Sequence, residues 1–170
     1  MKVKSDKTIY VKYWNTNYES FDSNEIQIIL GNPEFQWGKP DLGFWGSPKN
    51  ASYGWKEWCS DNFFDNYDWD NPIFFRLKSN STILRIDIED LNEDVLGKYV
   101  ILDEKMYRAI QRKRYSLDYN KIVEDGIDAV ELMDSRIGHL FFNDNAYEQI
   151  FYTWDCESIV VLNKDVLEFI

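Results

Sequence analysis

Apolar positions along this chain fall into two periods, and the changes between them mark the elements. Thr8 to Trp14 (Thr-Ile-Tyr-Val-Lys-Tyr-Trp) is rich in β-branched and aromatic residues and predicts a strand. Asn24 to Leu30 has the spacing of a short amphipathic helix and stops at Gly31. The run from Lys39 to Pro48 sets aromatic residues between glycines. It predicts a strand over Leu42–Trp45 that ends in a site, since glycines let the backbone close on another group. Asn50–Ser60 offers an N-cap asparagine and places Tyr53, Trp55, Trp58 and Cys59 on one helical face. A polar loop over Asp61–Asn71 then leads into a hairpin, with strands Ile73–Leu77 and Thr82–Ile88 around Lys78-Ser79-Asn80-Ser81.

The second half predicts helices over Glu89–Leu96 and Glu104–Arg114, the latter ending in the basic cluster Arg112, Lys113 and Arg114, which suits a helix C-terminus. Leu117–Asp125 reads as a helix closed by Gly126 and leads into a strand over Asp128–Leu132. A helix over Asn143–Ile150, a closing strand over Ser158–Leu162 and a terminal piece over Val166–Ile170 complete the chain. This order fits an α+β fold with a split mixed β-sheet and peripheral helices better than a regular βαβ array. With 170 residues, no internal repeat and no linker composition, one domain spanning residues 1–170 is expected.

Charge and composition narrow the partners. Nineteen basic against thirty acidic residues leave −11 at pH 7, which disfavours a broad nucleic-acid interface. An apolar content of 44%, with 17% aromatic, is enough for a packed core. No apolar run approaches the ~20 residues that span a bilayer, and Met1–Asp6 has no apolar stretch behind its lysines. The chain is therefore expected to be neither membrane-spanning nor secreted. Two distant cysteines, Cys59 and Cys156, suit a reducing, cytoplasmic setting.

Several chemistries lack their signatures. There is no phosphate-cradling Gly-x-x-x-x-Gly-Lys and no Gly-x-Gly-x-x-Gly. The single histidine, His139, reads as a surface or cap residue and makes no zinc site with two scattered cysteines. The acidic run Asp65–Asn71 has Tyr67 where a calcium ligand should be and lacks the turn glycine, so no metal is expected there. Three segments do stand out: Tyr10–Asn15, Gly43–Trp58 and Gly126–Asn163.

The third segment holds Gly126-Ile127-Asp128-Ala129-Val130-Glu131-Leu132 and, after an insertion, Trp154-Asp155-Cys156-Glu157-Ser158-Ile159-Val160-Val161-Leu162-Asn163. A first strand, an aromatic-Gly-Ser strand before a helix, a Gly-x-Asp-Ala strand and an acidic closing strand ending in an Asn turn together resemble the ADP-ribosyltransferase superfamily. Gly126–Asp134 is most similar to a Gly-x-x-x-Val-Glu-x-x-Asp run of the small phage anti-CRISPR ADP-ribosyltransferases, and Gly43-Phe44-Trp45-Gly46-Ser47 to their Gly-Gly-Leu-Phe-Gly segment. The resemblance implies an NAD-consuming mono-ADP-ribosyltransferase that modifies a host or defence protein, with Asp134 as the catalytic acid. A second register gives that role to Asp155 or Glu157. The chain departs from the family at Lys12 and Tyr13, where His or Arg is usual, and at Trp45-Gly46-Ser47, which replaces a Tyr or Ser-Thr-Ser motif.

The chemistry sets its own requirements. Breaking the nicotinamide glycosidic bond builds positive charge on the ribose, so the site needs a fixed carboxylate, hydroxyl partners and an aromatic wall for a cationic ring. Trp45, Tyr13 or Trp14 would supply the wall, Ser47 a hydrogen bond, and Asp134, Asp155 or Glu157 the carboxylate. Backbone N–H groups near Gly43 and Gly46, with Lys12, Lys39 or Lys49, are the local donors for NAD's phosphates. Two plainer readings stay open. Trp45, Trp55, Trp58 and Trp154 also suit core packing, and Asp155 suits a turn. The competing function is a non-enzymatic acidic inhibitor that mimics nucleic acid or binds a partner protein.

Overall fold

The computed structural model describes residues 1–16, 43–102, 115–134, 136, 147, 150–151 and 154–170. Its frame is one eight-stranded sheet built from β1 (Lys2–Lys4), β2 (Tyr10–Asn15), β3 (Phe44–Pro48), β4 (Tyr67–Leu77), β5 (Thr82–Ile86), β8 (Ala129–Leu132), β9 (Ser158–Val161) and β10 (Leu167–Phe169). The order across the sheet is β1-β5-β8-β9-β3-β2-β4-β10. Only β5 and β8 run parallel; the other neighbours are antiparallel, so the sheet is mixed. A separate pair joins β6 (Val100–Leu102) to β7 (Tyr115–Leu117). The described α-helices are short: α1 (Trp55–Asp61), α2 (Glu93–Leu96) and α3 (Tyr119–Glu124).

The sheet curls strongly. Four residues, Lys78–Ser81, connect β4 to β5 although four strands lie between them in the sheet. Tyr10 on β2 hydrogen-bonds Glu131 on β8 across the interior, and the ring of Phe44 on β3 meets Phe169 on β10. β3 is where the two halves join, because Phe44–Gly46 pairs with β9 while Ser47 and Pro48 pair with β2. The concave face encloses Tyr10, Phe44, Phe75, Ile83, Ala129, Ile159 and Val161. The opposite face of β5, β8 and β9 carries Leu84, Ile86, Val130, Leu132 and Val160 under Leu96, Tyr99, Ile122 and Trp154. Since both faces of β8 and β9 are covered, every residue of these two strands is buried, which explains their nearly continuous apolar sequence.

The expected α+β class and mixed sheet are observed among the described residues. Five differences have physical causes. Helix α1 begins after Gly54, because the Glu57 carboxylate caps the Gly54 N–H and Ser47 Oγ accepts from Trp55 N, leaving Asn50–Tyr53 as a loop. The predicted loop Asp61–Asn71 is strand from Tyr67 onward, where Tyr67 and Trp69 alternate with Asp68 and Asp70, and Tyr67 and Asp68 pair with Asn15 and Trp14 at the end of β2. The predicted hairpin has its turn, Ser81 N donating to Lys78 O, but its strands part: β4 takes β2 and β10, while β5 takes β1 and β8. Glu89–Leu96 is broken at Asn92, whose side chain caps α2 after a 3-10 turn over Ile88–Asp90. Met1–Asp6 contains a strand, β1, which turns Val3 toward the inner core. The predicted helices Asn24–Leu30 and Glu104–Arg114, His139 and nearly all of Asn143–Ile150 lie outside the described residues. No described helix is long and apolar enough to cross a membrane.

Ionic contacts tie the edges of this frame. Asp125 accepts from Lys98, Tyr99 and Lys121, which hold its carboxyl well below the usual carboxylate range. Asp6 is lowered by hydrogen bonds from Thr8 and by Arg85, and Asp134 by Arg136. A carboxyl whose folded pKa is depressed contributes stability above its unfolded value and loses it as pH falls toward the folded one. The urea midpoint is therefore expected to hold from pH 7 to about pH 4.5 and to fall below about pH 4, and Asp125→Asn to show a smaller fall than the wild type. Equal slopes in the two proteins would remove Asp125 from the account.

Candidate functional site

A cleft of about 170 Å³ opens where β2, β3 and β9 meet α1, lined by Val11, Lys12, Tyr13, Trp45, Gly46, Ser47, Trp55, Tyr67 and Ser158. Strand alternation explains Trp45, Ser47 and Ser158, while on β2 a register irregularity between Lys12 and Trp14 interrupts the alternation. Trp45 and Ser47 leave β3 on one side, while Phe44 leaves on the other toward the inner core. On β9 the same alternation delivers Ser158 to the cleft. Four residues expected to form the site, Lys12, Tyr13, Trp45 and Ser47, are thus brought together from segments more than thirty positions apart.

Each wall is held from behind. The Trp45 ring packs edge-on against Trp154, with centroids 4.7 Å apart, and Trp154 in turn meets Phe151. Tyr13 sits 4.9 Å from Trp69, and burial together with the Glu57 charge raises its phenol pKa. Ser47 and Ser158 are both almost fully buried: Ser47 accepts from Trp55 N at 3.0 Å, and Ser158 donates to Cys156 O at 2.8 Å. The Lys12 ammonium lies 3.4 Å from Trp45 O and 5.0 Å from the centre of the Phe44 ring. A cavity of this size takes one flat ring, below the roughly 300 Å³ at which drug-sized sites begin. The remainder of a larger ligand would extend along the open side.

Gly43 is not part of this wall. Its φ of +75° lies in the left-handed region, and a Cβ there would stand 2.4 Å from Val160 Cγ2 and 2.7 Å from Val161 O. The glycine is required for close approach to β9, and it supplies no surface of the cleft. Gly46 does line the cleft, and on its other side it rests against the Phe75 ring.

None of the three candidate carboxylates is among the described lining residues. Asp134 is engaged by the Arg136 side chain and backbone N–H. Glu157 points to the other side of the strand, where its Oε1 accepts from Ser52 N at 3.0 Å, Tyr53 N at 3.1 Å and the Ser52 hydroxyl, so it fastens the loop between β3 and α1. Asp155 is half-buried beside Trp154, the ring that backs Trp45.

A second groove lies on the Glu157 side, between the N-terminal segment, the start of the β3–α1 loop and β8. At its base Glu131, 1% exposed, accepts from Tyr10 Oη at 2.8 Å and Arg85 Nε at 2.6 Å, and Arg85 also reaches Asp6 at 3.2 Å. Burial and the Glu131 charge push the Tyr10 phenol far up; burial opposes the Arg85 charge, but Glu131 outweighs it and raises that pKa too. Sequence reasoning gave this network no role. Its one signal was a glutamate within Ala-Val-Glu-Leu, an otherwise apolar buried strand. Among the described residues no group of three or more His, Cys, Asp or Glu side chains is placed to hold a metal ion.

Beyond the cleft, α1 ends in a strained residue. Phe63 has φ 60°, a left-handed conformation that costs a non-glycine residue about 1–2 kcal/mol, and its ring is 88% exposed. Phe63→Gly is expected to raise stability by about 0.5–1 kcal/mol, or roughly 1–4 °C in Tm, after the loss to unfolded-chain entropy. An unchanged or lower Tm would show that the Phe63 ring contributes packing.

Comparisons of the chain with protein-family models, with curated proteins and with solved structures found no match.

Proposed function

We propose that this chain is an NAD-dependent mono-ADP-ribosyltransferase acting on a host or defence protein, of the phage anti-CRISPR kind. The observation that carries this reading is the convergence of Lys12, Tyr13, Trp45 and Ser47, with Ser158 from more than a hundred positions away, in one aromatic cleft. In this scheme Tyr13 and Trp45 flank the nicotinamide ring, whose positive charge suits aromatic faces. Ser47 and Ser158 offer hydroxyl oxygens, and Lys12 offers charge to the anionic part of the dinucleotide. The C1′–N bond breaks with its electron pair moving to the nicotinamide nitrogen. The bond from C1′ to the target's nucleophile then forms, and the nucleophile's proton leaves to a base or to solvent.

The carboxylate that stabilises the ribose cation is assigned to Asp155. It follows Trp154, whose ring backs the cleft wall. Glu157 acts at one remove, by fixing the loop that carries Ser52 and Tyr53 into α1. Asp155→Ala is expected to lower nicotinamide release from NAD by about 10²-fold, equivalent to roughly 3 kcal/mol, with the circular dichroism spectrum unchanged. Purified protein should be assayed with and without cell lysate as a source of the target. Full activity in Asp155→Ala would overturn the assignment, and full activity in Glu157→Ala and Asp134→Ala as well would overturn the transferase reading.

A second reading is favoured by one specific observation: the described walls of the cleft carry no carboxylate, while the chain as a whole carries −11. This is the non-enzymatic acidic inhibitor. Under it, neutralising surface carboxylates far from the cleft abolishes partner inhibition. Under the transferase reading the same changes leave NAD turnover intact.

A further inference from the structure

Six aromatic rings run in unbroken contact from the end of α1 into the cleft. Phe64 stacks on Trp58 with centroids 5.3 Å apart and an interplanar angle of 18°, and Trp58 stacks on Trp55 at 4.9 Å and 15°. Trp55 meets Tyr67 edge-on at 5.7 Å, Tyr67 meets Trp69 at 5.3 Å, and Trp69 meets Tyr13 at 4.9 Å. Three of these, Tyr13, Trp55 and Tyr67, also line the cleft. The far end is open to solvent: Phe64 is 48% exposed and its neighbour Phe63 is 88% exposed, on a backbone that glycine would fit better. A large apolar ring kept exposed on a strained residue does not serve the stability of the fold.

The charges around this ladder are one-sided. Between Trp55 and Asn71 five carboxylates, on Glu57, Asp61, Asp65, Asp68 and Asp70, stand against one lysine, leaving a net charge of −4. That lysine, Lys56, already places its ammonium 5.8 Å from the centre of the Tyr13 ring, so the ladder accepts a cation on a ring face. Stacked rings would suit nucleic-acid bases, but five carboxylates repel a phosphate backbone, and they repel an anionic membrane surface equally. A guanidinium satisfies both features, since it stacks on aromatic faces and pairs with carboxylates.

We propose that the ladder from Phe64 to Tyr13, with Phe63 beside its open end, docks an arginine-bearing basic segment of a partner protein, drawn to it by the net negative charge of the stretch from Trp55 to Asn71. The segment would lie along α1 and the start of β4, with one end at the mouth of the cleft. Only the further step, that the docked segment is the acceptor of ADP-ribose, rests on the transferase reading; docking itself needs no NAD.

The test is a titration of the full chain, without NAD, with a ten-residue arginine–glycine peptide, read by tryptophan fluorescence and by calorimetry. A lysine–glycine peptide of equal charge and a uridine oligonucleotide serve as competing probes. The arginine peptide is expected to bind more tightly than either, and more weakly as salt rises. Combining Phe63→Gly with Phe64→Ala is expected to weaken binding by about tenfold or more. Asp65→Asn with Asp70→Asn should weaken it several-fold. Phe63→Gly alone separates docking from folding, because it is expected to raise Tm while lowering affinity. No binding of the arginine peptide, affinity untouched by the phenylalanine changes, or preference for the oligonucleotide would overturn the proposal. None of these outcomes depends on nicotinamide release, so the docking and transferase readings fail separately.

Discussion

Glu131→Ala is expected to destabilise the chain by about 3–5 kcal/mol, most of the margin of an ordinary domain. Glu131 is 1% exposed and joins β8 to β2 across the curled interior through Tyr10 Oη, while pairing Arg85 of β5. Its removal leaves the half-buried Arg85 guanidinium with the more exposed Asp6 in place of a buried carboxylate and takes the acceptor from the buried Tyr10 hydroxyl. Buried polar groups that lose a partner cost more than the pair contributed. Tyr10→Phe should cost less, because Glu131 keeps Arg85. Replacing Glu131, Arg85 and Tyr10 together by apolar residues of similar volume should recover much of the single-mutant loss. Urea unfolding of the three variants checks this ranking. A loss below about 1 kcal/mol for Glu131→Ala would mean that water replaces the missing carboxylate at the mouth of the groove.

The second large effect is at Gly43. Adding a Cβ there brings 2.4 Å and 2.7 Å contacts with Val160 Cγ2 and Val161 O, at a φ of +75°. Overpacking and left-handed strain together set the expected cost of Gly43→Ala at about 3–4 kcal/mol, or roughly 6–15 °C in Tm. Gly126 is the control. It shares the conformation, φ +72°, but has nothing within 4 Å of a built Cβ, so Gly126→Ala should cost only about 1–2 kcal/mol. Equal losses at the two sites would show that the β3–β9 approach is looser than the contacts imply. The comparison bears on function because the same approach fixes Trp45 and Ser47 against Ser158.

Strands with strong local patterning were legible in the sequence. Tyr10–Asn15, Ala129–Leu132 and Ser158–Val161 fall within a residue or two of their predicted spans because both faces of β8 and β9, and one face of β2, are apolar. What local reading could not supply was partner choice. Lys78–Ser81 is a good turn by any local measure, yet β5 is drawn to β1 and β8, and only the closure of the curled sheet decides that. The Tyr67–Asn71 strand was hidden because its alternation sets aromatic residues against aspartates, and aspartate is a turn former when counted alone. For the site, Lys12, Tyr13, Trp45 and Ser47 were legible from their residue types, while Trp55 and Tyr67, which also line the cleft, were not. Nor was Ser158, since its selection over Glu157 depends on which side of the chain β9 turns toward the cleft.

In the proposed reading the cleft between Tyr13 and Trp45 takes the nicotinamide end of NAD. A crystal structure of the chain with a non-hydrolysable carbocyclic NAD analogue tests it most directly. The expected density is a nicotinamide ring against Tyr13 and Trp45, within hydrogen-bond reach of the Ser47 or Ser158 hydroxyl, with a carboxylate oxygen of Asp155 facing the ribose. Analogue density confined to the opposite groove beside Glu131 and Glu157, or a cleft left empty at saturating analogue, would contradict it.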